Sequence, residues 1–243
     1  MYLSVIIPSY NEARRIRKTL EANTAYLKTK SFEYEVVVVD NGSTDGMPAI
    51  VQNYAKERPF VKYVDARGKG KGAAVRYGML NVSGDIRLFM DADNATTLSH
   101  FDLMEPMFKN GCNVVFGTRD ARDLSEARQV VSQPWYRRFF GDIGNLLIQA
   151  FVLPGIWDTQ AGFKACTKQA AEDIFSRSVI DGFGFDIEML AIAKRLKCKL
   201  CMIPLQWEND PESKLGLATY IAVLLEMLRV RWNLWTGVYH LRQ

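Results

Sequence analysis

Five near-continuous apolar runs, alternating with stretches of helical periodicity, fill the first 118 of the 243 residues and leave few folds open to the chain. The runs cover residues 4–8, 34–40, 61–65, 86–91 and 113–117. A strand with one wet face alternates apolar and polar residues, whereas a strand covered on both faces is apolar along its length. Segments 12–27, 47–58, 70–80 and 98–109 between the runs carry helical patterns. Strand and helix alternating at this spacing predict βαβ units and a Rossmann-like α/β fold, a mostly parallel, doubly wound sheet.

The rest of the chain is less regular. Helical patterns cover 134–151, 168–177, 185–197 and 215–238, the last as one or two helices, and 199–203 reads as a strand. A Pro154-Gly155 turn interrupts the region, but no Pro/Ser-rich linker, repeat or low-complexity stretch does. The expectation is therefore one domain over 1–243, with an α/β half at 1–118 and a C-terminal helical elaboration at 119–243.

A formal net charge of +4 is too small to argue for nucleic acid, though it suits anionic ligands or an anionic membrane surface. Cys198 and Cys201 are the only cysteines close in sequence; three apart on a strand they face opposite sides, and no second pair completes a zinc site. Buried free thiols are expected for all four. Met1 leads straight into a strand-like run, so no signal peptide is expected, and no stretch of about 18 apolar residues predicts a spanning helix.

Ligands of open α/β sheets bind at the carboxyl ends of the strands, and polar residues collect at three such ends here. They are Pro8-Ser9-Tyr10-Asn11-Glu12, Asp40-Asn41-Gly42-Ser43-Thr44-Asp45-Gly46 and Asp91-Ala92-Asp93-Asn94. An isolated Asp-x-Asp is most often a solvated loop or a helix cap. Set beside two other strand-end clusters, Asp91 and Asp93 read as ligands for Mg²⁺ or Mn²⁺, which keeps one or two carboxylates and takes phosphate oxygens for the rest. Asp40 is placed to meet a nucleobase edge and Tyr10 to offer a stacking face. Gly68-Lys69-Gly70-Lys71-Gly72 lies before a helix and suits an anion, although a flexible basic loop explains it equally well. The phosphate-loop pattern is absent, and no Gly-x-Gly-x-x-Gly follows the first strand, which excludes a dinucleotide-dependent dehydrogenase.

Together, Val5-Ile-Ile-Pro-Ser-Tyr-Asn-Glu12, Val38-Val-Asp-Asn-Gly-Ser-Thr-Asp45, Gly70-Lys-Gly-Ala-Ala-Val-Arg76 and Asp91-Ala-Asp93 resemble glycosyltransferase family 2 and its GT-A fold. Gly117-Thr-Arg119, Asp158-Thr-Gln-Ala-Gly-Phe-Lys164, Phe185-Asp-Ile-Glu-Met-Leu190 and Glu212-Ser-Lys214 are similar to its polyprenyl-phosphate branch, most of all the dolichyl-phosphate β-glucosyltransferases. The resemblance implies inverting transfer of a sugar, in the first place glucose from UDP-glucose, to a polyprenyl or dolichyl phosphate; the alternatives are a GDP-mannose-dependent mannose synthase or a family member acting on a soluble or glycan acceptor. It implies that Pro8, Tyr10, Glu12 and Asp40 bind the nucleoside and that Lys71 and Asp91 complete the donor pocket. Asp93 would be the main metal ligand with Asp91 assisting. Arg119 with Arg137 or Arg138 would hold the acceptor phosphate, and Ser213 and Lys214 would close over the diphosphate. Asp186 is the residue placed as a base, but a phosphate acceptor needs none, so a sugar contact or an ordering role is expected of it. Ala95 stands where mannose synthases usually carry a further polar metal ligand.

On this reading 1–118 binds the nucleotide sugar, while 119–243 binds acceptor and faces a membrane, peripherally and on its cytoplasmic side. Two aromatic and basic stretches suit that contact, 135–153 and 224–242. Their apolar stripes would equally serve to pack on the sheet.

Overall fold

The computed structural model describes residues 1–66, 68, 70–129, 144–207 and 217–240. A seven-stranded sheet has the order β3-β2-β1-β4-β7-β5-β8. It consists of β1 (Leu3–Ser9), β2 (Tyr34–Asp40), β3 (Val61–Asp65), β4 (Ile86–Met90), β5 (Val114–Thr118), β7 (Phe163–Thr167) and β8 (Leu200–Pro204). β6 (Arg128–Gln129) pairs in parallel with β9 (Gln206–Trp207) in a separate ribbon.

Helices cover both faces, as the apolar strands require. α1 (Ile16–Leu27), α2 (Met47–Lys56) and α4 (Phe101–Lys109) pack on one face through Leu20, Val51 and Met104. α3 (Lys71–Asn81), α6 (Lys168–Phe175), α7 (Phe185–Arg195) and α8 (Leu217–Thr236) pack on the other through Val75, Ile174, Leu190 and Val230. Residues 144–151 (α5) lie on this second side and bury Ile148. β1 shows the division: Leu3, Val5 and Ile7 enter the first core and Ile6 the second, and all seven of its residues are buried.

Three features differ from the expectations. α1 starts at Ile16 rather than near residue 12, because residues 11–13 are held by hydrogen bonds to the loop after β2. β7, which the sequence pattern leaves unassigned, sits antiparallel between β4 and β5. Cys112 and Cys201 form a disulfide rather than remaining free thiols. β5 and β8 are paired neighbours, and this brings the two Cα atoms to 6.1 Å although they are 89 residues apart in sequence. Cys166 and Cys198 are free. Among the described residues no helix is long and apolar enough to cross a membrane.

Candidate active site

The parallel strands β1, β2, β4 and β5 end on one edge, with Ser9, Asp40, Met90 and Thr118 as their last residues. β7 runs the other way, so the residues before it, Asp158 to Gly162, arrive at that same edge. Candidate site residues from both halves of the chain meet here because of this one reversed strand.

The first part of the edge joins two loops. Asn11 donates its backbone N–H to Ser43 Oγ at 2.9 Å and accepts from the Thr44 N–H at 2.8 Å, while the Ala13 N–H donates to Asp45 at 2.8 Å. Asn11 has φ 55°, and Asn94, in the loop after β4, has φ 56°. Both occupy the left-handed region that Asn tolerates better than most residues. Asp40 is 2% exposed. One carboxylate oxygen accepts from the Ser43 N–H at 3.0 Å and the Ser43 hydroxyl at 2.6 Å, and the other accepts from the Tyr63 hydroxyl at 2.7 Å. A carboxylate has about four acceptor positions, which leaves one for a base edge. Tyr10 beside it is 56% exposed and offers its ring to solvent. Glu12 is paired with Arg15 at 2.7 Å.

The second part is an ionic cluster. Lys71, the first residue of α3, reaches Asp91 at 2.5 Å. Gly162 lies against the same carboxylate; a Cβ there would stand 2.0 Å from Asp91 Oδ2, so no side chain fits. Arg119 is held by Asp158, which accepts its backbone N–H at 2.8 Å and its guanidinium at 2.8 and 2.9 Å. Asp186, in the first turn of α7, pairs with Lys164, which is fully buried on β7 and also donates to the Ala161 carbonyl at 2.5 Å. Asp186 is thus a partner of Lys164 and not the cap of its helix, where Gly184 stands.

Electrostatics follows from this arrangement. Burial alone would lower the Lys71 pKa, but Asp91 and Asp186 outweigh it and hold the amine above its ordinary value. Arg119 is likewise raised: burial opposes, and Asp158, Asp91 and Asp186 prevail. Asp158 is lowered, because Arg119 overcomes its burial. Burial pushes Asp186 up against the pull of Lys164 and Lys71. Burial and then the charge of Asp91 push Asp93 up, against the Ala95 N–H, Arg15 and Lys71.

These groups fit a divalent cation. Lys71, Arg119 and Lys164 bring three positive charges against the four of Asp91, Asp93, Asp158 and Asp186, and the nearby Arg15 is balanced by Glu12, so the cluster is short of positive charge. The buried Asn94 Oδ1 beside Asp93 has no hydrogen-bond partner. Among the described residues no three His, Cys, Asp or Glu side chains converge on one point. A cation at Asp91 and Asp93 would therefore take its other oxygens from a ligand or from water.

The expected residues Pro8, Tyr10, Glu12, Asp40, Lys71, Asp91, Asp93, Arg119 and Asp186 all lie on or beside this edge. Arg137, Arg138, Ser213 and Lys214 lie outside the described residues, as does the 135–143 part of the 135–153 stretch. The sequence alone assigns no role to Asp158, Gly162 or Lys164. A lysine at the second position of the five-residue Phe163–Thr167 run is the available signal, since a lysine buried in a strand needs a carboxylate nearby.

The family model "Glycosyl transferase family 2" matches residues 4–175. A dolichyl-phosphate beta-glucosyltransferase of Trichomonas vaginalis is 34% identical, the match covering 97% of this chain and 76% of that protein. The dolichyl-phosphate beta-glucosyltransferase of Saccharomyces cerevisiae is 32% identical over 98% and 77%. Among solved structures, mannosyl-3-phosphoglycerate synthase from Rubrobacter xylanophilus superposes with TM-score 0.71 at 17% identity, covering all of this chain and 76% of that one. Glucosyl-3-phosphoglycerate synthase from Mycobacterium tuberculosis, in complex with Mn²⁺, UDP-glucose and phosphoglyceric acid, superposes with TM-score 0.68 at 19% identity over 95% and 80%. The architecture is the GT-A fold.

Proposed function

Because the chain belongs to glycosyl transferase family 2, we propose that it moves glucose, with inversion, from UDP-glucose to dolichyl phosphate or a related polyprenyl phosphate. The observation that carries the reading is one sheet edge that joins a cradle at Tyr10 and Asp40 to the Asp91, Asp93, Lys71 and Arg119 cluster. The names of relatives matching along nearly the whole chain support the choice of sugar and lipid.

Asp40 and Tyr10 orient the uracil, and Lys71 meets the diphosphate. Asp93, assisted by Asp91, would hold Mg²⁺ or Mn²⁺; the bound cation supplies the Lewis acid that neutralises the departing diphosphate. Arg119, fixed by Asp158, positions the acceptor phosphate with its guanidinium, together with Arg137 or Arg138; Ser213 and Lys214 cover the diphosphate. An acceptor phosphate oxygen forms the bond to the anomeric carbon as the bond to UDP breaks, and the electron pair leaves with UDP. A phosphate monoester has a second pKa of about 6 and is largely dianionic at neutral pH, so no side chain has to take a proton. Asp186, already paired with Lys164, orders the site instead.

The test is a panel of UDP-glucose, UDP-galactose and GDP-mannose, each with and without dolichyl phosphate. Organic-extractable label should appear with UDP-glucose and dolichyl phosphate together. Extractable mannose from GDP-mannose, with none from UDP-glucose, would overturn the choice of donor.

Asp40→Ala should weaken UDP binding by roughly ten- to a hundredfold, since a lost buried hydrogen-bond partner costs about 1–3 kcal/mol. Calorimetry with UDP measures it; an unchanged dissociation constant refutes the role.

The lipid acceptor is met peripherally, on the cytoplasmic side of a membrane. α8 exposes Ile221, Leu225, Leu228, Trp232 and Trp235. Steps of four and three residues put them on one stripe, flanked by the exposed Arg229 and Arg231. An apolar stripe edged with arginine suits an anionic interface. Flotation with anionic vesicles should carry the protein, high salt should weaken the association, and a Trp232→Ala/Trp235→Ala variant should remain at the bottom of the gradient. Flotation of that variant equal to the wild type would refute the surface.

A further inference from the structure

The loop 179–184 holds two of the site's charged residues in place, and its own anchor comes from α8. On one side it seats the start of α3, which carries Lys71. The Asp181 carbonyl accepts the Ala73 N–H at 3.2 Å, and the Asp181 carboxylate pairs with Arg76 at 2.6 Å. Gly70 and Gly72 press so closely on this loop that a Cβ at either would come within 2.2 Å of the Asp181 carbonyl or 2.6 Å of the Ile180 carbonyl. On its other side the loop runs directly into α7, whose first turn carries Asp186.

Glu226 enters this loop from the inner face of α8. Its Oε2 accepts the Gly184 N–H at 2.7 Å. Gly184 stands at the N-cap of α7 and has no side-chain cap. The N–H groups at a helix start lack intrahelical acceptors, and the helix dipole favours an anion there. The missing side chains of Gly182 and Gly184 are what admit Glu226: a Cβ on Gly182 would lie 2.0 Å from Glu226 Oε1, and one on Gly184 would lie 2.7 Å from Glu226 Cβ. Glu188, on α7, completes the anchoring by accepting the Val179 and Ile180 N–H groups at 2.9 and 3.0 Å and the Tyr239 hydroxyl at 3.0 Å.

We infer that Glu226 is a positioning residue for the transfer: through the Gly184 N–H and the loop 179–184 it fixes Asp186 and Lys71 against Asp91. It touches neither donor nor acceptor. The inference rests on the reading that Lys71, Asp91 and Asp186 surround the reacting end of a nucleotide sugar. The nucleoside cradle at 9–13 and 40–46 is built from other hydrogen bonds, so Glu226 governs turnover without governing nucleoside affinity.

The experiment compares Glu226→Ala, Glu226→Gln, Gly182→Ala and the Gly182→Ala/Glu226→Ala pair. Glu226→Ala should lower kcat at least tenfold at a temperature well below its Tm, with the dissociation constant for uridine, which lacks the diphosphate that Lys71 meets, within threefold of wild type. Glu226→Gln keeps an acceptor oxygen for the Gly184 N–H and should recover kcat to within threefold. Gly182→Ala drives a methyl into the space of the carboxylate and should match Glu226→Ala, and the pair should be no worse than either single variant, because both remove one contact. A Glu226→Ala enzyme with wild-type kcat, or one that loses uridine affinity and kcat together, overturns the inference. So does a Glu226→Gln enzyme as impaired as Glu226→Ala. If the wild type transfers no sugar, the functional reading fails separately, and hydrogen exchange still decides the positioning. Amides 182–188 should then exchange at least tenfold faster in Glu226→Ala with β1 and β2 unchanged, and equal exchange overturns the inference.

Discussion

Asp93→Ala is expected to abolish transfer, lowering kcat by a factor on the order of a thousand. A Lewis acid at a departing diphosphate contributes several kcal/mol, and roughly 1.4 kcal/mol is a factor of ten in rate. The substitution leaves the fold standing. Asp93 is raised in pKa by burial and by its like-charged neighbour Asp91, so removing it relieves a repulsion that outweighs the one hydrogen bond lost, from the Ala95 N–H at 3.0 Å. The variant's Tm without added metal should therefore equal or exceed that of the wild type. Excess EDTA should reproduce the loss in the wild type, and Mn²⁺ should restore it there but not in Asp93→Ala. Release of UDP from UDP-glucose with dolichyl phosphate is the assay, and full activity in EDTA would refute the role of the carboxylate pair.

Lys164→Met should show the largest effect on stability. Lys164 is paired with Asp186 and hidden from water, so its loss leaves a carboxylate buried beside an apolar side chain. Breaking one side of a buried ion pair costs about 3–5 kcal/mol. For a chain of this size that is a fall in Tm of roughly 6–20 °C. The pH dependence has a definite sign. Burial already raises the Asp186 pKa, opposed mainly by Lys164; without the amine it rises further. A carboxylate whose folded pKa is raised binds protons more tightly in the folded state, so the variant regains stability as the pH falls through that pKa. The deficit against wild type should be full at neutral pH and narrow toward pH 5. Thermal melts between pH 5 and 8 measure it. A constant or widening deficit toward acid would mean that Asp186 is not the group left uncompensated.

Both predictions turn on residues that sequence reading treated unequally. Asp91 and Asp93 are legible because their setting is local: an apolar strand, then two carboxylates two residues apart. The same holds for Asp40 and its Ser/Thr-rich loop, and for the strands whose apolar runs state that both faces are covered. Arg119 also carries a local mark, the end of a strand. Its partner carries none, because Asp158 lies 39 residues on and nothing near it in sequence says what it faces.

The sequence by itself determined the βαβ alternation, the strand ends that bear chemistry and the carboxylate pair, since hydrophobic periodicity and turn composition act over a few residues and leave their trace there. Only the tertiary structure decided that β7 reverses between β4 and β5 and brings Asp158, Gly162 and Lys164 to the edge. It alone decided that Lys164 meets Asp186, 22 residues away, that Cys112 meets Cys201, and that Glu226 caps α7. A lysine in a short strand reads as an edge or a loop until a carboxylate on another element makes its burial possible. Such pairings depend on which elements become neighbours, and that is set by the packing of the whole chain rather than by any segment of it.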